Sequence, residues 1–158
     1  MNLNLIEAET GKKIADKIKK LTLNQVKKLK GNKNFQFDWS IEEFNEVYSI
    51  KRSDNNELLG LISIIDVPQE LRIHINLVES IIINQGRKKE IDGIPGCLIG
   101  FACKVAFMRG YDGFVSLVPK TRLEDYYHNK FGFRHMGTHM VVFLDTSQSI
   151  ITKYLQDE

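Results

Sequence analysis

The sequence predicts an α/β fold in which a mixed sheet is flanked by helices. Three observations predict it. Three runs rich in β-branched and aromatic residues, Glu46–Arg52, Leu58–Val67 and Leu71–Ser80, are separated by turn residues and read as consecutive antiparallel strands. A glycine-bearing loop between Gln85 and Leu98 then opens into an apolar helix. A strand, a second helix and a last strand follow, a βαβ-like order that needs helices on the faces of a sheet. The 158 residues fit one domain with a core of its own, so residues 1–158 are read as a single unit.

The elements are justified in chain order. Leu3–Ala8 starts with alternating apolar residues and predicts a short first strand. Thr10 is a candidate cap, and Ile14, Ile18, Leu21 and Leu29 recur at helical spacing, which predicts helix from about Lys12 to Lys30, ending at Gly31. After a loop over 32–39, Ser40 and Glu43 have the spacing of a capping box for a turn at Ile41–Asn45. The cluster Ser53-Asp54-Asn55-Asn56 turns the first hairpin, and Pro68 ends the second strand. In the third strand, strict alternation places Ile73, Ile75, Leu77 and Glu79 on one face. Cys97–Met108 is an apolar helix ending near Gly110, and Phe114–Val118 a short buried strand. Thr121 caps a helix over Arg122–Lys130 that Gly132 closes. Gly137–Leu144 is the last strand, with His135 and His139 on one strand face, and Ser147–Leu155 a terminal helix.

Composition excludes several classes. Apolar residues are 42% and charged residues 27%, as in ordinary globular chains. No apolar run approaches the ~20 residues that cross a bilayer, and the N-terminus lacks the pattern of a secretion signal. Cys97 and Cys103 fall on different faces of one helix, so two free thiols are expected, which fits the reducing cytoplasm. Nine lysines stand between Lys12 and Lys33, read as a solvated helix face rather than a nucleic-acid footprint. No Cys, His or acidic set has metal-site spacing. The terminal Ile150–Leu155 segment is the candidate surface for a homodimer.

The loop before Cys97 carries the chemistry. The first amides of a helix have no internal partner and lie at the positive end of its dipole, where phosphates bind. Gly93 and Gly96 allow close approach of the backbone, and Arg87, Lys88 and Lys89 add positive charge. A Walker loop is excluded because no Gly-Lys-Ser/Thr is present. A dinucleotide fingerprint is excluded because the glycines come too late and lack its spacing.

Two stretches carry a family resemblance. Glu90-Ile91-Asp92-Gly93-Ile94-Pro95-Gly96 resembles the Gln/Arg-x-x-Gly-x-Gly/Ala motif of the GNAT superfamily of N-acetyltransferases, with Glu90 and Pro95 as departures. Asp125-Tyr126-Tyr127-His128-Asn129-Lys130-Phe131-Gly132-Phe133 resembles that superfamily's late Tyr…Gly-Phe motif. The resemblance covers about Glu46 to Leu144. It implies a mostly antiparallel, splayed sheet and acetyl-CoA as co-substrate. The diphosphate would sit on Gly93, Ile94, Gly96 and Cys97 with Arg87 and Lys88, and the pantetheine along the strand at Leu77 and Val78. It implies direct attack by a primary amine of a small molecule or peptide, arriving from the side formed by residues 10–40. Glu79 is then the candidate base and Tyr127 the candidate acid, with Tyr126 and His128 as alternatives. The same fold without turnover, as a binding or interaction module, is the second reading.

Overall fold

A computed structural model of the chain describes residues 2–14, 17–85, 91–120 and 122–156. In chain order these form β1 (Asn2–Leu3), β2 (Ile6–Glu7), β3 (Ile18–Lys20), α1 (Leu23–Lys27), a 3-10 turn (Trp39–Glu42), β4 (Glu46–Lys51), β5 (Leu58–Val67) and β6 (Arg72–Ser80). The second half holds β7 (Ile91–Asp92), α2 (Ile94–Met108), β8 (Val115–Leu117), α3 (Glu124–Phe131), β9 (Arg134–Met136), β10 (His139–Val142), α4 (Leu144–Tyr154) and β11 (Leu155–Gln156). The main sheet has the order β3-β4-β5-β6-β8-β10-β9. All its pairings are antiparallel except β6 with β8.

Helix α2 is apolar almost all round because it is covered on several sides. It lies on the β5–β6 face, where Ile94 and Leu98 occupy the space a side chain at Gly60 would need. Its Cys97, Leu98, Ile99, Ala102 and Cys103 are fully buried. Helix α4 covers another side, with Ile150 packed beside Gly100. The two chain ends meet at the start of α2: β1 pairs with β11, β2 pairs with β7, and Asn4 N–H donates to Tyr154 O at 2.8 Å. The opposite sheet face is covered by the segment from α1 through the Trp39 turn, where Val26, Phe35 and Trp39 are buried.

Several expectations are corrected. The helix expected over Lys12–Lys30 is β3 followed by a five-residue α1. Ile18 pairs with Ile50 and Lys20 with Tyr48, so sheet pairing overrides the helical spacing of the apolar residues. The lysines therefore lie on a strand, a short helix and loops rather than on one helix face. The cap is Thr22, whose box partner is Gln25, and Thr10 instead serves a turn before β3. Asp38 caps the next turn in place of Ser40. Gly93 caps α2, which starts three residues before Cys97. The strand expected over Gly137–Leu144 is the second arm of a hairpin that turns at Gly137, so His135 and His139 lie on different strands.

The correction that matters most for the site is in β6. Ser63 pairs with Leu77 but Ile64 pairs with Ile75, so Asn76 is an extra residue, a β-bulge. A one-residue insertion moves every later side chain to the other face. Leu77 and Glu79 therefore leave the face of Ile73 and Ile75, and Val78 and Ser80 take it.

Candidate functional site

The parallel pairing of β6 with β8 covers Ile73↔Val115, His74↔Ser116 and Ile75↔Leu117, then stops. Strand β6 runs on to Ser80, so the two strands diverge beyond Ile75 and Leu117. A cavity of about 320 Å³ fills the gap. Its walls are Asn76–Ser80 of β6, Val118 and Lys120 beyond β8, Pro95 and Ile99 of α2, Tyr126 and Tyr127 of α3, and Gln36 and Phe37 from the opposite sheet face. The gap thus passes through the sheet, from the helix α2 side to the side of the Trp39 turn.

The bulge decides which main-chain groups meet this gap. Ile81 N–H donates to Leu59 O, which makes Gly60 and Ser80 a non-hydrogen-bonded pair. By alternation, Glu79 and Leu77 turn their amides and carbonyls toward β5. Those of Val78 and Ser80 turn toward the gap. The Ser80 carbonyl accepts from Gln85 Nε2 at 2.7 Å. Among the described residues Val78 has no strand partner on this side, while Leu77 contributes only its side chain.

Glu79 lines the cavity, yet it is only 6% exposed. Its carboxylate accepts from Gln36 N at 2.6 Å, Trp39 Nε1 at 2.9 Å, Phe37 N at 3.3 Å and Gln85 Nε2 at 3.4 Å. It ties the 36–39 loop down as one wall of the gap. Nearby, Glu42 is also buried, and its carboxylate accepts from Asn76 Nδ2 at 2.6 Å. A carboxylate only accepts, so the Asn76 amide is oriented with Nδ2 toward Glu42, and among the described residues Oδ1 has no hydrogen-bond partner.

A second cavity of about 280 Å³ lies at the N-terminus of α2 and shares Ser80, Gln85, Pro95, Leu123 and Tyr126 with the first. Together they form one groove. Gly93 has φ 97°, and a side chain there would meet Asn4 O at 2.8 Å. Among the described residues the N–H groups of Ile94 and Gly96 have no partner, whereas Cys97 N–H donates to Gly93 O at 2.9 Å. Pro95 has no N–H. Gly96 lies against the ring of Tyr154, and the Cys97 and Ile94 side chains are fully buried. Arg87 and Lys88, with Lys89 and Glu90, lie outside the described residues.

Helix α3 supplies the tyrosines. Its C-terminal Gly132 has φ 82°, and the chain doubles back so that Phe133 packs on Tyr127 at 5.7 Å between ring centroids. Tyr127 is 9% exposed, and burial raises its hydroxyl above the usual phenol value. Tyr126 lines both cavities, and burial, with smaller contributions from Tyr127 and Tyr154, pushes it up to about 12. Both phenols stay protonated near neutrality. His128 is turned to the chain after α3, where its Nδ1 lies 2.9 Å from Phe133 O.

No protein-family model and no curated protein matches the sequence. Solved structures do. A probable GNAT-family acetyltransferase from Chromobacterium violaceum superposes with a TM-score of 0.58 at 12% identity, covering 84% of each chain. A structure titled AtaTR bound with AcCoA gives 0.58 at 12% identity, covering 87% of this chain and 96% of that one. The chain has the GNAT fold. Against a nourseothricin acetyltransferase, the chain spans 61% of that chain's length. The strands that diverge in this GNAT fold are β6 and β8, and the helix that opens onto the groove is α2.

Sequence reasoning missed Asn76, Gln36, Phe37, Gln85 and Lys120 as groove residues. The Lys120 ammonium sits over the Phe37 ring at 3.3 Å from its centroid, across the mouth of the gap. No local pattern marks such a pair, because its members are brought together only by the sheet. Among the described residues no group of three or more His, Cys, Asp or Glu is placed to hold a metal ion. No helix among them is long and apolar enough to cross a membrane. Ile150, Tyr154 and Leu155 are buried within the chain, so they are not the surface a second copy would meet.

Proposed function

We propose that the chain is an acetyl-CoA-dependent N-acyltransferase that moves an acetyl group to a primary amine by direct attack. The observation that carries this reading is the single groove running from the start of α2 to the gap where β6 leaves β8. In the AtaTR structure, AcCoA is bound by a protein of the same fold.

In this reading the pantetheine arm lies in the gap and pairs with the Val78 amide and carbonyl, as an added strand would. The diphosphate meets the Ile94 and Gly96 amides at the positive end of α2. Pro95 contributes no donor, and Arg87 and Lys88 are proposed to supply charge there. Gly93 serves the turn, while Cys97 supports the helix from inside. The thioester then lies near the bulge, beside Asn76.

The amine approaches from the Trp39 side. Its ammonium is drawn by the buried carboxylates of Glu79 and Glu42, and Asn76 Oδ1 is placed to receive one N–H. Glu79 takes the proton on Oε2 after release of its longest hydrogen bond, that from Gln85 at 3.4 Å. Nitrogen attacks the carbonyl carbon, its second proton passes to water in the groove, the C–S bond breaks as the amide forms, and Tyr127 gives its proton to the departing sulfur, with Tyr126 as the alternative donor. Water access to the groove restores the phenol.

Thermal melting with acetyl-CoA tests cofactor binding, and thiol release from acetyl-CoA with a panel of primary amines tests turnover. An unchanged melting temperature at millimolar acetyl-CoA refutes the cofactor site. A raised melting temperature without thiol release on any amine favours the binding-module reading, which the missing donor at Pro95 also supports. Loss of release in Tyr127→Phe and Glu79→Gln, with binding kept, supports the assigned roles.

A further inference from the structure

A third cavity lies outside the groove. It measures about 460 Å³ and is lined by Lys17, Lys19, Ser49, Lys51, Arg52, Ser53 and Asn56. It belongs to the β3–β4 end of the sheet. Ser49 pairs with Leu61, and Leu61 pairs with Glu79, so its floor stands two strands, roughly 10 Å, from the groove wall. The fully buried Leu61 lies between them.

The charge of this cavity is built by strand register. Ile18 pairs with Ile50 and Lys19 with Ser49, and Lys17, just before β3, lines the same cavity as Lys19 and Lys51. Like charges gathered around one cavity repel. Among the described residues, none of the three lysines has a hydrogen-bond or ion-pair partner and no acidic side chain lines the cavity. Arg52 differs: its Nε and one terminal nitrogen are held by Asp54 at 3.0 and 3.1 Å, with Glu7 at 3.7 Å. Its charge is thus largely answered, and the three lysines hold the excess.

We propose that this cavity is a second ligand site, independent of acetyl transfer, that takes a small ligand carrying two or more phosphates. One anionic group does not answer three ammonium groups spread over two strands; a chain of phosphates does. Among the described residues the lining has no aromatic or apolar side chain to stack on a base, as single-stranded nucleic acids require for tight binding. The site is concave rather than a flat basic stripe, which favours a compact ligand over a long backbone. Binding relieves the repulsion among these lysines, so an anion stabilises the sheet edge as well as filling the cavity.

Calorimetric titration of the full chain with inorganic tripolyphosphate at low salt tests the proposal. The expected result is saturable binding, weakened at least tenfold in the triple variant Lys17→Gln/Lys19→Gln/Lys51→Gln and retained in the triple Lys→Arg variant. The glutamine variant is also expected to melt at or above the parent temperature, because it removes repulsion and no contact. Binding unchanged in the glutamine variant places tripolyphosphate elsewhere, including the start of α2, and overturns the proposal; no binding at millimolar concentration does the same. A single-stranded RNA oligomer that binds more tightly than tripolyphosphate through the same lysines overturns the small-ligand assignment. Each outcome is read without acetyl-CoA, so failure here and failure of the acyltransferase reading are separate.

Discussion

The indole Nε1 of Trp39 donates to the Glu79 carboxylate at 2.9 Å, joining the loop before β4 to the far end of β6. Trp39 is 1% exposed and Glu79 6%, so the bond is made out of water. A hydrogen bond to a buried charged group contributes about 1.5–3 kcal/mol. Trp39→Phe keeps most of the apolar contact and removes this donor; it is expected to cost about 2 kcal/mol in urea denaturation. Glu79→Gln turns an amide donor toward the donors of Gln36, Phe37 and Trp39 and is expected to destabilise by a similar amount. The double variant is expected to cost less than the sum, since both remove one interaction. Full additivity would mean that the carboxylate and the indole act separately.

His74 contributes to the loss of stability in acid. Its Nδ1 lies 2.9 Å from Ser116 Oγ and 3.2 Å from Arg72 Nη1, and its ring lies 5.5 Å from that of His139. Burial first, then the Arg72 and His139 charges, lower its pKa from 6.5 to about 4. The folded chain therefore holds the neutral ring where the unfolded chain binds a proton. The stability this contributes is full above pH 6.5 and is lost as the pH falls through 6.5 toward 4. His74→Gln keeps an acceptor for Ser116 and Arg72 but does not titrate. Its melting temperature is expected to fall less between pH 7 and pH 4 than that of the parent; parallel curves would refute the assignment.

How much of this was legible depended on the range of the forces involved. The hairpins β4–β5 and β5–β6 were legible because their β-rich runs and turn residues are local. So was α3, which Gly132 ends in a left-handed conformation. Segment 12–30 was misread because Ile14, Ile18 and Leu21 have helical spacing, while β3 exists only through its pairing to β4, some thirty residues on. The bulge at Asn76 has no local signature, since the strand alternates on both sides of it, and it inverts the faces of Leu77 and Glu79. The candidate site was legible at α2 and α3, where glycines and tyrosines mark it. It was not legible at Gln36, Phe37 and Gln85, which are gathered by hydrogen bonds to the buried Glu79 and, for Gln85, to the Ser80 carbonyl and Gln36.

Cys97 and Cys103 are predicted to be inert. Both are fully buried, and burial pushes each thiol up to about 12. The thiolate is the reactive species, so neither is available near neutrality. A colorimetric disulfide reagent at pH 8 is expected to find no thiol in the native chain within minutes and both after denaturation. Rapid native labelling of either would mean that α2 opens readily, contrary to its central packing.

Gly96 separates packing from ligand contact. Its position in the glycine motif points to close approach of a phosphate, but a side chain there would fall on the ring of Tyr154. Tyr154 is 6% exposed, and its carbonyl is already fixed by Asn4 N–H at 2.8 Å, so the ring has little room to move. Gly96→Ala is therefore expected to lower stability by about 1–3 kcal/mol, the usual cost of overpacking. Adding Tyr154→Leu, which clears the space, is expected to recover part of that loss in the Gly96→Ala background while being destabilising on its own. If Gly96→Ala instead keeps its melting temperature and loses only the acetyl-CoA-induced shift, then the glycine is there for the ligand, and the Tyr154 contact is incidental.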